Sequence, residues 1–125
     1  MDNKQTQDVK TSLAPAARTS SANGTGIDLA GFPSATVAFI VGAITDGTHT
    51  PKVQESDDDS TYTDVAAADL IGSLAALAAS TNQRVGYRGT KRYIRAVSTI
   101  TGSPSTGGVY AAVVIRRDAR KQPVA

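Results

Sequence analysis

Residues 34–44 have the sequence SATVAFIVGAI, and this stretch decides the fold class. It is rich in β-branched residues, which favour strands, and side chains alternate between the two faces of a strand. One face carries Val37, Phe39 and Val41, and the other carries Ala38, Ile40 and Ile44. Because both faces are apolar, the strand is central in its sheet or is covered by a partner. We favour a central strand covered by loops of the same chain.

Two later segments show related patterns. Residues 109–115 are apolar on both faces, like residues 34–44. Residues 92–101 alternate differently, because Ile94, Ala96 and Ile100 share one face while Tyr93, Arg95 and Thr99 share the other. This pattern is typical of a strand with one face in the core and one half-polar face.

Further strands are separated by clusters of Gly, Pro, Asp and Ser, with the short spacing of an all-β domain. The predicted strands are 34–44, 49–55, 61–66, 83–87, 92–101 and 108–117, with a short one at 27–29. Asp46-Gly47 predicts a tight hairpin turn, and residues 57–60 and 102–108 are further reversals. Residues 66–81 predict one short helical turn or an irregular crossover, packed through Leu70, Leu74 and Leu77. The sequence therefore predicts a single antiparallel β-sandwich, similar to a jelly roll.

The first 26 residues differ from the rest in composition. They are rich in small polar residues, and only Val9 and Leu13 among them are large and apolar before residue 27. Such a segment buries too little surface to offset the ~1–2 kcal/mol per residue that ordering a backbone costs. We therefore predict two parts, an extended N-terminal arm over residues 1–26 and a sandwich domain over residues 27–125 that ends in a basic tail.

The composition also excludes several chemistries. The chain has no Cys, no Trp and one His, so disulfides, thiolate catalysis and zinc fingers are excluded. We interpret His49 as a turn histidine at the start of a strand, since its neighbours Thr48 and Thr50 supply no metal site or triad. The spacing of the acidic run 57–59 does not match a calcium loop and predicts a solvated turn. We expect no enzymatic activity, no catalytic residue, no metal and no cofactor.

Nothing in the sequence indicates a membrane. No run approaches the ~18–20 apolar residues of a membrane span, and the first ten residues lack the apolar stretch of a secretory signal. We expect a protein made in the cytoplasm, with no membrane partner.

Charge is distributed unevenly along the chain. Residues 1–80 carry a net charge of −6 and residues 81–125 one of +8. This asymmetry permits a positive face for an acidic partner, or strands of both halves interleave and the charges mix. The candidate interface residues are the two apolar anchors and the basic side chains Val9, Leu13, Arg18, Arg84, Arg88, Lys91, Arg92, Arg95, Arg116, Arg117 and Arg120. Few aromatic rings accompany these cations, so we favour an acidic protein surface over nucleic acid.

Two resemblances extend this interpretation. Residues 54–65, QESDDDSTYTDV, together with residues 91–97, KRYIRAV, resemble part of the discoidin-type and galactose-binding jelly rolls. This resemblance implies a sandwich whose acidic turn joins two strands. It leaves glycan binding as an alternative function.

A longer resemblance covers residues 31–72 and 84–115. These segments are similar to a group of small proteins encoded among the virion structural genes of tailed bacteriophages. The resemblance implies a virion structural protein, and we expect a decoration or cement protein that binds the major capsid protein on the outer shell as a dimer or trimer. A head–tail joining or tail role is the alternative. In the decoration role, the arm and the basic face hold the shell together.

Overall fold

The computed structural model describes residues 8–32 and 34–117, which form ten strands and one 3-10 turn. The turn spans Ala67–Asp69. The strands are β1 (Asp8–Arg18), β2 (Ala22–Asn23), β3 (Ile27–Asp28), β4 (Ser34–Ile44), β5 (Thr48–Ser56), β6 (Thr63–Asp64), β7 (Leu70–Ile71), β8 (Asn82–Tyr87), β9 (Tyr93–Thr101) and β10 (Gly108–Arg117). No helix in the described ranges is long and apolar enough to cross a membrane.

The strands form two antiparallel sheets. Sheet 1 has the order β1-β10-β4-β8-β7, and sheet 2 has the order β2-β9-β5-β6, with β3 also paired to β9. If β2 and β3 count as one strand, and the two-residue β7 that pairs with β8 at the edge of sheet 1 is left out, the renumbered strands have the orders 1-8-3-6 and 2-7-4-5. This is the winding of a jelly roll, so the predicted all-β sandwich is confirmed.

The core lies between the two sheets. Sheet 1 contributes Phe39 from β4 and Val114 from β10, while sheet 2 contributes Ile94 and Val53. Both β4 and β10 are central strands with neighbours on each side, as their apolar sequences predict. Leu77 is buried against the same core and Leu70 and Leu74 are partly buried, which confirms the predicted packing of residues 66–81.

The N-terminal segment corrects the prediction of a separate arm. Residues 8–18 are extended, but they form β1, which pairs with β10 over its whole length and belongs to the sandwich. Leu13 is only 2% exposed. Two register shifts, on either side of Leu13, break the alternation that would have revealed a strand. Main-chain hydrogen bonds to β10, which do not depend on side-chain composition, order this segment.

The polypeptide after β1 then joins the two sheets. β1 lies in sheet 1, whereas β2 and β3 pair with β9 in sheet 2. The buried Ser12 hydroxyl connects them, because it donates to the Thr25 carbonyl at 2.8 Å and accepts from the Ala96 amide at 2.9 Å. The sandwich therefore begins within the predicted arm, at Asp8 rather than at residue 27.

The Asp46-Gly47 turn corrects a second expectation. β4 and β5 lie in different sheets, so this turn carries the chain across the sandwich and is not a hairpin. Gly47 has a φ of +80°, a conformation that suits glycine. The Asp46 carboxylate accepts hydrogen bonds from the amides of Gly107, Ser105 and Thr106, which lower the pKa of this carboxyl. Asp46 thus ties together the two crossings at this end of the sandwich.

Candidate interaction surface

The outer face of sheet 2 is polar, and its charged groups are engaged within the chain. The Lys52 amine lies 3.2 Å from the Asp64 carboxylate. The Arg95 guanidinium donates to the Gln54 side-chain oxygen at 2.7 and 3.0 Å and stacks 4.1 Å from the centroid of the Tyr62 ring. These contacts leave little unsatisfied charge on this face.

A second set of contacts surrounds Asp28 at one end of the sandwich. Arg92 donates two hydrogen bonds to the Asp28 carboxylate, at 2.9 and 2.8 Å, and these hydrogen bonds lower the pKa of Asp28. Arg116 donates to the Asp28 carbonyl at 3.0 Å, pairs with Asp8 and stacks 4.2 Å from the ring centroid of Phe32. Both arginines are therefore part of the intramolecular framework.

Lys91 also has a partner within the chain. The ion pairs together show whether the acidic and basic halves of the sequence mix in the fold. Its amine lies 2.8 Å from the Asp57 carboxylate, and this hydrogen bond raises the pKa of the lysine. Three of the five ion pairs in the described ranges join an acid from the first 80 residues to a base from the last 45. The acidic and basic halves therefore interleave, and much of the apparent charge asymmetry is neutralised within the fold.

The outer face of sheet 1 is different, because three of its five strands, β1, β10 and β4, place no charged side chain near its centre. Val9, Ile40 and Val109 are 57%, 50% and 43% exposed. We call this surface the apolar face and define it by the outward residues Val9, Thr11, Pro15, Thr36, Ala38, Ile40, Gly42, Val109, Ala111, Val113 and Ile115. No loop of the described chain covers these exposed side chains, so the favoured interpretation of covering loops is wrong.

A shallow groove crosses the apolar face. Its volume is about 310 Å³, and it runs between Ile40 on β4, Val109 and Val113 on β10, and Pro15 on β1. Small residues form its floor, including Gly42 and Ala111. The groove offers apolar contact and almost no hydrogen-bonding side chain.

A second depression, which we call the arginine cleft, adjoins the apolar face at the end where β10 finishes. It has a volume of about 340 Å³. Arg84 of β8 and Arg117 of β10 line it, together with the hydroxyl-bearing Ser34 and Thr36 and the exposed Ile71. No carboxylate of residues 8–32 or 34–117 forms an ion pair with either guanidinium.

The predicted interface residues therefore separate into groups. Val9 lies on the apolar face, and Arg84 and Arg117 line the arginine cleft. Arg88 is exposed in the loop after β8, beyond the residues that line the cleft. Arg120 and the rest of the predicted basic tail lie outside the described residues.

The remaining predicted residues take part in the fold itself. Leu13 is a core residue, and Arg18 donates to the Ala14 carbonyl and lies 5.9 Å from the Tyr110 ring centroid. Lys91, Arg92, Arg95 and Arg116 have the intramolecular partners described above. Sequence reasoning missed the apolar face as a site, although the two-sided apolar patterns of residues 34–44 and 109–115 were its signal.

The described residues contain no group of three or more His, Asp or Glu side chains arranged to hold a metal ion. The acidic turn between β5 and β6 is held by its own hydrogen bonds, since the Asp58 carboxylate accepts from the amides of Ser60 and Thr61 at 3.0 Å each. The apolar face and the arginine cleft therefore offer apolar area and two arginine side chains.

Comparison with known proteins relates the fold to two structures. No protein-family model and no curated protein matches this sequence. The structure is similar to that of the SPBc2 prophage-derived protein YomS, with a TM-score of 0.56 and 19% identity over 89% of this chain and 93% of that one. It is also similar to a structure of Bacillus endospore appendages, described as disulfide-linked pili, with a TM-score of 0.50 and 14% identity over 92% of this chain and 90% of that one. These similarities show a shared fold.

Proposed function

We propose that this chain is a non-enzymatic structural protein of a tailed-phage virion, a decoration protein that binds the outer capsid surface and stabilises the shell. The observation that carries the proposal is the apolar face of sheet 1, on which Val9, Ile40 and Val109 are exposed. The largest contiguous apolar patch on the surface of a protein is often a contact site for another molecule. The arginine cleft beside it adds an electropositive contact.

The fold supports this proposal. A jelly roll is a rigid body that buries its core without disulfides and presents one flat sheet face to a neighbour. The resemblance of residues 31–72 and 84–115 to virion proteins of tailed phages points to the same class. The proposal is also supported by the structural similarity to a prophage-derived protein, which extends over 89% of this chain.

The structure changes how the chain would attach. Residues 8–18 are already paired with β10, so the face of sheet 1 replaces the N-terminal arm as the docking element. With β8 and its arginine cleft included, four strands spaced by ~4.8 Å and eight residues of ~3.3 Å each give the outer face of sheet 1 an area of roughly 500 Å². Contact with a partner then buries about 1,000 Å² in total, which is near the lower limit for a specific interface. On a symmetric shell, the stabilisation contributed by each of many bound copies adds to that of the others.

A role without catalysis is part of the proposal. The one imidazole, His49, is buried and engaged by Tyr110 and by the Asp46 carbonyl. Glycan binding is the weaker alternative because Tyr87 and Tyr110 are buried, while Tyr62 and Tyr93 stack against arginines. No tyrosine of the described ranges therefore offers an open ring to a sugar.

Co-sedimentation with shells that lack this chain tests the proposal. The wild-type chain and a Thr50→Asp variant are expected to pellet with the shells, whereas an Ile40→Asp variant is expected to stay in the supernatant. Thr50 is the matched control because it is exposed on the outer face of sheet 2. Failure of the wild-type chain to pellet, or equal pelleting of both variants, would contradict the proposal.

The amount of the chain in purified virions separates decoration from the alternative roles. A copy number comparable to that of the major capsid protein is expected for a decoration protein. A few copies, released together with tails when particles are disrupted, would instead indicate a head–tail joining or tail protein. Quantitative mass spectrometry of intact and tail-stripped particles distinguishes these outcomes.

A further inference from the structure

The arginine cleft and the apolar groove lie on the same face of sheet 1, and this placement defines a partner more closely. Building on the proposed function, we infer that both are filled by one extended segment of an acidic partner protein. A carboxylate of that segment occupies the cleft and an apolar side chain occupies the groove. The partner is a protein different from this chain.

The chemistry of the cleft selects a carboxylate. Arg84 and Arg117 line the same depression and have no intramolecular carboxylate partner among the described residues. Guanidinium groups bind carboxylates through paired hydrogen bonds. Ser34 and Thr36 add hydroxyl groups beside them. A carboxylate of the partner would neutralise two like charges with which no carboxylate of residues 8–32 or 34–117 pairs.

The geometry of β4 sets the spacing of the two contacts. Thr36 lines the cleft and Ile40 lines the groove, four residues further along the same strand. At ~3.3 Å per residue, the two contact points are separated by on the order of 13 Å. An extended peptide that lies along β4 therefore places its acidic and apolar side chains about four residues apart.

The edges of the sheets exclude the usual alternative, which is addition of a strand. The free edge of β1 carries Lys10, Pro15 and two register shifts, all of which oppose pairing with another strand. The opposite edge of sheet 1 is β7, and sheet 2 ends in β2 and β6, each two residues long. A partner therefore lies across the face of sheet 1 rather than along its edge.

A second copy of this chain does not fit the cleft. The acidic turn is its obvious donor of carboxylates, but Asp57 pairs with Lys91 and Asp58 is held by amides of its own turn. Two copies packed face to face would also bring their arginine clefts onto one surface, where like charges repel. Nucleic acid is disfavoured because no aromatic ring of the described chain lies exposed on this face to stack on a base.

Selection from a displayed library of random 12-residue peptides tests the inference without shells. The folded wild-type chain is the target, and binders are expected to carry Asp or Glu about four positions from Leu, Ile, Val or Phe. A synthesised binder is then titrated against the wild-type chain, the Arg84→Glu/Arg117→Glu double variant and the Arg88→Glu control. The double variant is expected to lose at least about tenfold in affinity, whereas the control, exposed but outside the cleft, is expected to bind like the wild type.

Several outcomes would overturn the inference. The first is a selection whose binders do not show this spacing, and the second is a peptide that binds the double variant as tightly as the wild type. The third is a double variant that loses affinity for a single-stranded DNA oligonucleotide but not for the peptide. A wild-type dimer in sedimentation that Ile40→Asp dissociates would assign the face to a second copy. Because no shell is present, these results are independent of the co-sedimentation that tests the proposed function.

Discussion

The imidazole of His49 lies edge-on to the ring of Tyr110, with centroids 5.3 Å apart and ring planes at 81°. His49 Nδ1 is 3.0 Å from the Tyr110 hydroxyl, and Nε2 is 3.0 Å from the Asp46 carbonyl oxygen. A carbonyl only accepts, so Nε2 donates to Asp46, while Nδ1 shares a hydrogen bond with the Tyr110 hydroxyl. The Tyr110 hydroxyl also shares a 3.0 Å hydrogen bond with Ser98. This buried chain of polar groups joins β10 of sheet 1 to β5 and β9 of sheet 2.

Removing one hydroxyl tests the importance of this chain. Tyr110→Phe deprives both His49 and Ser98 of a partner in a buried site, and the free energy of unfolding is expected to fall by about 1–3 kcal/mol. Tyr62→Phe is the matched control, because its hydroxyl lies on the exposed acidic turn and its loss is expected to cost no more than about 0.5 kcal/mol. Urea unfolding measures both variants. Equal losses would show that the buried chain adds no stability.

For His49, the local sequence predicts the position in the chain but not the environment of the side chain. Its neighbours predict a turn histidine, and it does follow the Asp46-Gly47 turn. However, β5 begins at Thr48, and alternation along β5 directs the His49 side chain between the sheets. The sequence contains no signal for its partner Tyr110, which lies 61 residues away. Long-range polar pairs of this kind are set by the topology and not by local pattern.

Leu13 and Val9 provide a test of the corrected N-terminal segment. Leu13→Ala is expected to lower the free energy of unfolding by about 2–5 kcal/mol, because it leaves a cavity in a packed core. Val9→Ala changes an exposed position and is expected to alter the free energy of unfolding by at most about 0.5 kcal/mol. Thermal and urea unfolding of the isolated chain measure these effects. If Leu13→Ala left stability unchanged, residues 8–18 would be a detached arm after all.

Ser12 offers an independent test of the same segment. Its hydroxyl serves the Thr25 carbonyl and the Ala96 amide, so Ser12→Ala leaves buried backbone groups without partners and is expected to cost about 1–3 kcal/mol. Ser21→Ala removes one hydrogen bond, to the exposed Ile100 amide, and is expected to cost less than about 1 kcal/mol. Amide hydrogen exchange at Ala96 should accelerate only in the Ser12 variant. Unchanged exchange at Ala96 in both variants would argue against the bridge.

The strongly alternating part of the fold was predictable, and the irregular part was not. The bounds of β4 and β10 agree with the prediction, because long β-branched runs between turn residues leave one interpretation. β1 was not predicted because its register shifts interrupt the alternation of apolar and polar residues. β2 and β7 are too short to give a pattern. The two-sided apolar character of β4 and β10 was visible in the sequence. Only the exposure of Val9, Ile40 and Val109 in the structure shows that no loop of the described chain covers these side chains.

Acid should weaken the fold through Asp58. Its carboxylate accepts hydrogen bonds from the Thr61 amide, the Ser56 hydroxyl and the Ser60 amide, and these lower its pKa from 3.8 to about 2. A carboxyl whose folded pKa lies below its unfolded value stabilises the fold fully above the unfolded pKa. That contribution is lost as the pH falls from about 4 to about 2. Asp58→Asn is expected to flatten this part of the stability profile.

Urea midpoints measured across that pH range test the expectation. Asp69→Asn is the control, because the Asp69 side chain accepts none of the hydrogen bonds found in the described ranges, and this variant should keep the slope of the wild type. In the Asp58→Asn variant, the introduced amide retains an acceptor oxygen but does not titrate, so the midpoint should depend less on pH even if its value at neutral pH is lower. If Asp58→Asn and Asp69→Asn showed the same slope as the wild type, the acid sensitivity would lie in other carboxyls, with Asp46 and Asp28 next in order because hydrogen bonds lower their pKa values as well.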